Sequence, residues 1–259
     1  MIRTEQRGSA RWIVLDRPEV RNALSAKLMT AAHSALEEAV LDPKVRSVVI
    51  AGDGPAFCAG ADLNEMKAMR DTSQADNVVN ALAVSNFFYA IAQAPKPVVT
   101  RIHGPAVAGA LGIIAASDFA VAVKGVSFAF TEVRLGIAPA MISPFIVWRI
   151  GAPRARRLFM TGETFDAETA ERMGLIDKVV TPETLDEAVG TITKNFDLCA
   201  PNAVAAAKRI ANRVADGLPE THRRHTAELI AQLRASDEGQ EGMAAFLEKR
   251  KPRWAVGSD

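Results

Sequence analysis

The sequence predicts an α/β protein built on parallel strands, and three observations support this prediction. Short runs rich in β-branched residues recur at residues 11–16, 45–52 and 96–104, and each run ends in a turn of small residues. A stretch with helical periodicity follows each turn, so strands and helices alternate along the chain. Such alternation is typical of parallel sheets joined by crossover helices. Apolar residues make up 49% of the 259 residues, which is enough for a substantial core.

The remaining elements of this first part follow from local signals. Ser25 is suited to cap the N-terminus of a helix over residues 25–40. A second helix is predicted over residues 75–94, because the breaking sequence APKP follows it. Two more strands are predicted at residues 118–123 and 126–130.

The chain changes character near residue 190, where strand signals give way to helical ones. We therefore expect a core of residues 1–190 that carries the site and a helical region of residues 191–259. The polar stretch 68–77 is a candidate for a mobile loop over a site, although a plain surface connection fits its composition equally well.

Charge and composition exclude several classes of function. The chain has 31 Lys and Arg against 30 Asp and Glu, a formal charge of +1, so nucleic acid is not an expected partner. No apolar run reaches the ~18 residues of a membrane span, and the charged N-terminus lacks a signal-peptide core. Cys58 and Cys199 lie far apart and without metal-ligand spacing. We therefore expect a cytoplasmic protein without a metal or a membrane partner.

Two turns share a design in which a strand ends at small residues and a helix begins. They lie in VVIAGDGPAFCAGADLNEM and VVTRIHGPAVAGALGII. Backbone N–H groups at a helix start have no intrahelical acceptor, and small residues let a ligand oxygen come close. Two such turns on neighbouring parallel strands predict an oxyanion hole, although either turn alone is also explained by tight packing of helix on sheet. Neither turn matches a dinucleotide or phosphate-loop fingerprint.

Beyond these features, the chain resembles the enoyl-CoA hydratase/isomerase (crotonase) superfamily. The segments that carry the resemblance are DRPEVRNALS (16–25), FCAGADLNEM (57–66), HGPAVAGALG (103–112), FTEVRLGIAP (130–139), ARRLFMTGETFDAETAERMGLID (155–177) and EGMAAFLEKRKP (241–252). The resemblance implies a crotonase-like ββα spiral core, followed by a C-terminal helical region that assembles trimers. Two such trimers are expected to pair into a hexamer. It implies an acyl-CoA substrate and no cofactor other than the coenzyme A of that substrate.

The resemblance also implies roles for individual residues. The oxyanion donors would be the N–H groups of Ala61 and Gly109, which explains why side chains are small at these turns. The residues implied to contact coenzyme A are Ala59, Asp62 and Leu63 near adenine, Arg21 near the phosphates, and Phe246 and Lys249 reaching a neighbouring subunit's ligand.

One carboxylate stands where hydratases of this family usually carry two. The second family glutamate is present as Glu132, whereas the position of the first is occupied by Gly112. A carboxyl group beside a dry acyl pocket is expected to have a raised pKa and can move one proton. Glu132 is therefore the expected catalytic acid–base, and a mechanism that needs two glutamates is in doubt.

Other polar residues near these motifs are expected to have lesser roles. Asp118 is expected to form structural hydrogen bonds, Glu65 to face solvent and His103 to support the backbone. Ser143 is a less favoured candidate for holding a water or a polar substrate group. Arg134 is expected at a subunit interface or on the surface.

The function predicted from the sequence is that of an enoyl-CoA hydratase, a lyase adding water to a 2-enoyl-CoA. The segment FTEVRLGIAPAMISPFIVWRIG resembles hydratases of branched or glutaconyl-type acyl-CoAs in leucine and terpenoid breakdown. One alternative is a Δ3,Δ2-enoyl-CoA isomerase, for which a single glutamate suffices. Another alternative is an acyl-CoA-binding protein that has lost catalysis.

Overall fold

Two sheets form the framework of the protein, seen in a computed structural model that describes residues 1–68, 72–215 and 219–255. The strands are β1 (Ile2–Arg7), β2 (Ala10–Leu15), β3 (Ser47–Gly52), β4 (Val98–Ile102), β5 (Ala106–Val107), β6 (Phe119–Val123), β7 (Ser127–Ala129), β8 (Thr164–Asp166) and β9 (Lys178–Val180). The larger sheet has the order β1-β2-β3-β4-β6-β9, and the smaller one has the order β5-β7-β8. In the larger sheet only the β1–β2 pair is antiparallel, and the other pairs are parallel.

Helices cover the sheets and complete the core. They are α1 (Ala26–Leu41), α2 (Leu63–Ala68), α3 (Gln74–Gln93), α4 (Gly109–Ala116), α5 (Ser143–Ile150), α6 (Ala152–Thr161), α7 (Ala167–Met173), α8 (Leu185–Asp197), α9 (Pro201–Val214), α10 (Pro219–Ala235) and α11 (Asp237–Leu247). All residues of β3 are buried, as expected for a parallel strand covered on both faces. Helix α4 is almost entirely buried and packs between α3 and α5.

The predicted alternation of parallel strands and helices is confirmed. The hydroxyl of Ser25 accepts a hydrogen bond from the Leu28 N–H over 3.2 Å, which fixes the start of α1 as predicted. Strand β1 was not predicted, because its residues IRTEQR are mostly polar and form an exposed edge of the sheet. Of the stretch 68–77, residues 69–71 lie outside the described residues, and α3 already begins at Gln74.

The C-terminal part of the chain is helical and is attached to the core at several points. Helix α8 packs against β4 and β6, while α10 packs against α9 and α11. The guanidinium of Arg46 donates hydrogen bonds to the carbonyl oxygens of Phe196 (3.2 Å) and Trp254 (2.9 Å). Within the described part of the chain, no helix has the length and apolar character needed to cross a bilayer.

Candidate active site

The turns that follow β3 and β4 lie side by side, because these strands are neighbours in the larger sheet. The Val107 N–H donates to the Cys58 carbonyl oxygen over 3.1 Å, and the Phe57 N–H donates to Pro105 over the same distance. A Cβ atom at Gly60 would lie 2.8 Å from the Val107 carbonyl oxygen, and Gly60 has a φ of +88°. Both the left-handed conformation and the close approach therefore require glycine at position 60.

The two predicted oxyanion donors face no acceptor from the described residues. Gly109 is the first residue of α4, so its N–H has no intrahelical acceptor. Ala61 pairs with Leu24 in an isolated bridge, in which the Leu24 N–H donates to Gly60 and the Asp62 N–H donates to Leu24. This pattern leaves the Ala61 N–H unengaged. Ala61 and Gly109 line the same cavity.

The residue before the second donor is held in an unusual backbone conformation. Ala108 has a φ of 51° and a ψ of −119°, and its N–H donates to the Ala129 carbonyl oxygen over 2.9 Å. A non-glycine residue in such a conformation costs roughly 1–3 kcal/mol. This strain could not be predicted from the sequence, because alanine is an ordinary residue in helices and strands. The conformation sets the orientation of the peptide that carries the Gly109 N–H.

A cavity of about 1030 Å³ adjoins both donors. Most of its lining is apolar, and it includes Val20, Leu24, Met29, Val84, Phe88, Leu135, Ile137, Pro139, Met141 and Ile142. Three carboxyl groups also line it, those of Asp62, Glu65 and Glu132. Apolar cavities with a few convergent polar groups are the usual form of small-molecule sites.

Two of these carboxylates are already engaged by the protein. Asp62 is buried and accepts a hydrogen bond from the Arg17 guanidinium over 3.1 Å, forming an ion pair. Glu65 accepts a hydrogen bond from the Ala26 N–H at the start of α1 over 2.8 Å. The prediction that Glu65 faces solvent is therefore wrong, because this side chain is half-buried and caps a helix.

Among the described residues that line the cavity, Glu132 is the carboxyl group with a buried oxygen that has no hydrogen-bond partner. It begins a short 3₁₀ helix, Glu132–Leu135, and only 9% of the residue is exposed. Its Oε2 atom is buried and has no hydrogen-bond partner among the described residues. Burial raises the pKa of Glu132 above its ordinary value, although its own backbone N–H acts in the opposite direction. A carboxyl group with a raised pKa is better suited to accept and return a proton than an ordinary one.

The raised pKa of Glu132 predicts a pH-dependent gain in stability for Glu132→Gln. Above the raised pKa the folded protein must hold a charged group in an apolar site, and glutamine removes this cost. The gain should disappear as the pH falls through the raised pKa to below the ordinary value of 4.5, because both side chains are then neutral. Melting temperatures of the two proteins across this pH range measure the effect. A difference in melting temperature that did not vary with pH would contradict it.

The residues predicted to contact coenzyme A lie in three different places. Ala59, Asp62 and Leu63 line the cavity together with the first donor turn. Arg21 is exposed, has a φ of 51° and lies outside the cavity lining, while its carbonyl oxygen accepts from the Ala59 N–H. Phe246 and Lys249 lie at the far end of the chain, where 84% of Phe246 is exposed.

Asp118 and His103 form hydrogen bonds within the protein, as predicted from the sequence. Asp118 accepts from the Val98 N–H and forms an ion pair with Lys208, both over 2.8 Å, which is the structural role predicted for it. His103 lies with Nε2 2.9 Å from the Gly54 carbonyl oxygen, as expected for backbone support.

Ser143 and Arg134 differ in their relation to the cavity. The Ser143 hydroxyl donates to the Ala140 carbonyl oxygen over 2.8 Å, and Ser143 is not part of the cavity lining, so it does not hold a substrate group there. Arg134 is exposed, as predicted, but it also borders the cavity beside Glu132.

Two residues that support the site were missed in the sequence. Asn22 is fully buried, and its amide donates to the carbonyl oxygens of Asp53 (2.8 Å) and Ala56 (3.0 Å). Its Oδ1 accepts from the Arg17 N–H over 2.9 Å. Asn22 therefore ties the N-terminal turn to the first donor turn, and Arg17 ties it to Asp62. The available signal was an asparagine directly before the apolar residues Ala23 and Leu24.

Taken together, these groups define a class of site. Two backbone N–H donors without protein acceptors can stabilise negative charge on a carbonyl oxygen, and a protonatable carboxyl group can move a proton beside it. The cavity that joins them is mostly apolar and is large enough for an acyl group. The fold and the site are those expected for an enzyme that acts on carbonyl compounds through an enolate.

Comparisons with known proteins identify the family. The sequence model of the family "Enoyl-CoA hydratase/isomerase" matches residues 5–256. A Rhizobium meliloti protein named "Probable enoyl-CoA hydratase" is 35% identical over 255 residues, which cover 95% of each chain. The chain therefore belongs to the enoyl-CoA hydratase/isomerase family, and it is an enzyme of that class.

Solved structures confirm the predicted crotonase fold. An enoyl-CoA hydratase from Shewanella pealeana superposes with a TM-score of 0.94 at 33% identity, covering 98% of this chain and 95% of that one. A Legionella pneumophila protein assigned to the enoyl-CoA hydratase/isomerase (crotonase) class has a TM-score of 0.90 at 38% identity, covering 98% of each chain.

Proposed function

We propose that the protein is an enoyl-CoA hydratase that adds water across the C2–C3 double bond of a 2-enoyl-CoA. The observation that carries the proposal is the buried Glu132 carboxyl group, with an unengaged Oε2, in the cavity that Ala61 and Gly109 also line. Relatives at 31–35% identity that carry the name enoyl-CoA hydratase support it. The coenzyme A belongs to the substrate, and the proposal requires no further cofactor.

In the proposed mechanism the thioester oxygen accepts hydrogen bonds from the N–H groups of Ala61 and Gly109. These donors stabilise the enolate that forms when the oxygen of water bonds to C3. Glu132 takes a proton from the attacking water, and a proton returns to C2 to give the 3-hydroxyacyl-CoA. Overall one water is consumed: one O–H bond of water and the π bond between C2 and C3 break, and one C–O bond at C3 and one C–H bond at C2 form.

Coenzyme A is proposed to lie along the first donor turn, in contact with Ala59, Asp62 and Leu63, with its phosphates near Arg21. A buried ion pair with Arg17 fixes the Asp62 side chain, which gives the ligand a rigid edge. We further propose trimers, paired into hexamers, in which Phe246 and Lys249 reach a neighbour's coenzyme A. The large exposed surface of Phe246 (84%) and Leu247 (78%) supports such an assembly, because contiguous exposed apolar residues mark interaction surfaces. A cytoplasmic location remains part of the proposal.

The test is a turnover screen with straight-chain, branched and glutaconyl-type 2-enoyl-CoAs. A hydratase consumes the absorbance of the conjugated thioester, and the product mass increases by one water. If no 2-enoyl-CoA gains water, the hydratase proposal is wrong. The branched and glutaconyl-type compounds in the screen decide which acyl group the enzyme prefers.

A Δ3,Δ2-enoyl-CoA isomerase is the second candidate function. The observation that favours it is that two of the three cavity carboxylates already have hydrogen-bond partners. Asp62 accepts from Arg17, and Glu65 accepts from the Ala26 N–H. Glu132 is left to move a proton between C2 and C4, and isomerisation needs no activated water. An isomerase would create the absorbance of a conjugated thioester from a 3-enoyl-CoA without any change in mass.

A further inference from the structure

The space beside Gly112 is filled by the side chains of Ile142 and Phe88. A Cβ atom at Gly112 would overlap Cγ2 of Ile142 and would lie 2.9 Å from Cε1 of Phe88. Both atoms would be closer to this Cβ than van der Waals contact allows, so the side chains of Ile142 and Phe88 occupy the space that a side chain at position 112 would need. Ile142 and Phe88 also line the cavity itself.

This wall is held firmly on both sides. Phe88 is 1% exposed, and its ring packs against Phe145 with centroids 6.2 Å apart. Ile142 is 3% exposed and directly precedes α5, where its carbonyl oxygen accepts from the Ile146 N–H over 3.1 Å. Apart from the face that each side chain presents to the cavity, both are enclosed by the core, so the wall cannot move back to admit a bulky group without disturbing that core.

We propose that Ile142, supported by Phe88, determines the specificity of the acyl subsite. The pair bars any side chain at position 112 and bars acyl groups that carry a branch or a charged substituent against this wall. The preferred substrate is therefore an enoyl-CoA whose acyl chain presents unbranched hydrocarbon there. This inference rests on the proposed function, because it assumes that the cavity holds the acyl group.

The first test is the binding preference of Ile142→Ala for two unreactive acyl-CoAs. Butyryl-CoA and isovaleryl-CoA differ by one branching methyl group, and calorimetry gives the ratio of their dissociation constants. Opening the wall should shift this ratio at least about tenfold toward isovaleryl-CoA, since a methylene-sized change in an apolar pocket is worth roughly 10–200-fold. The same shift is expected in kcat/KM for 3-methylcrotonyl-CoA against crotonyl-CoA.

Ile146→Ala is the matched control, because Ile146 is fully buried on α5 but does not line the cavity. Its ratio should equal that of the wild type. An Ile142→Ala protein that weakened both ligands equally would overturn the inference and leave Ile142 with a packing role. A shifted binding ratio without turnover of any enoyl-CoA would overturn the proposed function and leave the subsite intact. Failure of the wild type to bind either acyl-CoA would overturn both.

A second test uses stability and needs no ligand. Gly112→Ala should lower the melting temperature by roughly 3–10 °C, because it overpacks the wall, and Ile142→Ala in the same chain should recover part of that loss. Gly190→Ala is the control, since Gly190 is also helical and an added Cβ there would meet nothing within 4 Å. It should keep or raise the melting temperature. Equal effects of the two glycine substitutions would overturn the close contact.

Discussion

Replacing Glu132 by glutamine is expected to lower kcat for the enoyl-CoA substrate by roughly 10²–10⁴-fold, the usual contribution of general acid–base catalysis. Glutamine has nearly the same shape and cannot exchange the proton that the reaction moves. The affinity for substrate should change little, because the Ala61 and Gly109 N–H groups are unaffected. Initial rates give kcat, and calorimetry with a saturated acyl-CoA gives the affinity.

Glu65→Gln is the comparison for this experiment. Glu65 lines the same cavity, but its carboxylate accepts from the Ala26 N–H, and a glutamine oxygen can accept the same hydrogen bond. We expect turnover close to that of the wild type. If Glu132→Gln kept the wild-type rate, Glu132 would not be the acid–base. If the wild type bound acyl-CoA but converted none, a non-catalytic binding protein would be the better description.

The framework of the site was predictable because it depends on local signals. Small residues after two β-branched runs indicated donor turns, and the parallel order of β3 and β4 places those turns together. The structure adds the reason for Gly60, where a left-handed φ and contact with Val107 exclude any side chain. A glycine at such a turn is informative in a sequence, because few other residues can adopt its backbone conformation.

The features that escaped prediction depend on contacts between distant segments. Ile142, directly before α5, and Phe88 of α3 meet at Gly112, and nothing in the local sequence pattern around either residue indicates that contact. Glu65 was misplaced because its partner, the Ala26 N–H, is 39 residues away. The strain at Ala108 is likewise imposed by its surroundings, including the hydrogen bond from its N–H to Ala129. Periodicity identifies elements, whereas these positions are decided by how the elements pack.

The single candidate acid–base, Glu132, is consistent with the packing of Ile142 and Phe88 beside Gly112. The family usually places a second glutamate where this chain has Gly112, and here Ile142 and Phe88 occupy the adjoining space. In the proposed mechanism Glu132 is then left as the proton carrier. A bulky side chain at position 142 and glycine at position 112 are therefore expected to be interdependent.

Substituting proline for Gly109 is expected to lower kcat by roughly 10²–10³-fold through the loss of one oxyanion donor. Gly109 is the first residue of α4, a position where proline is well tolerated because the N–H has no helical acceptor. The substitution removes the predicted oxyanion hydrogen bond, but Ala108 must adapt, because its φ of 51° and ψ of −119° differ from the extended conformation that a residue before proline favours. Rates with the best enoyl-CoA of the turnover screen measure the loss.

Gly109→Ala separates this loss from a steric effect. An added Cβ would lie 3.1 Å from Cδ1 of Leu24 in either variant, but alanine keeps the N–H. We expect Gly109→Ala to retain most of the turnover, so the ratio between the two variants reports the replacement of the N–H by the proline ring, with the effect of the added Cβ removed. The far-ultraviolet circular dichroism and melting temperature of the proline variant verify that Ala108 still adopts a conformation compatible with folding. Equal turnover in the folded proline and alanine variants would show that the Gly109 N–H does not stabilise the transition state.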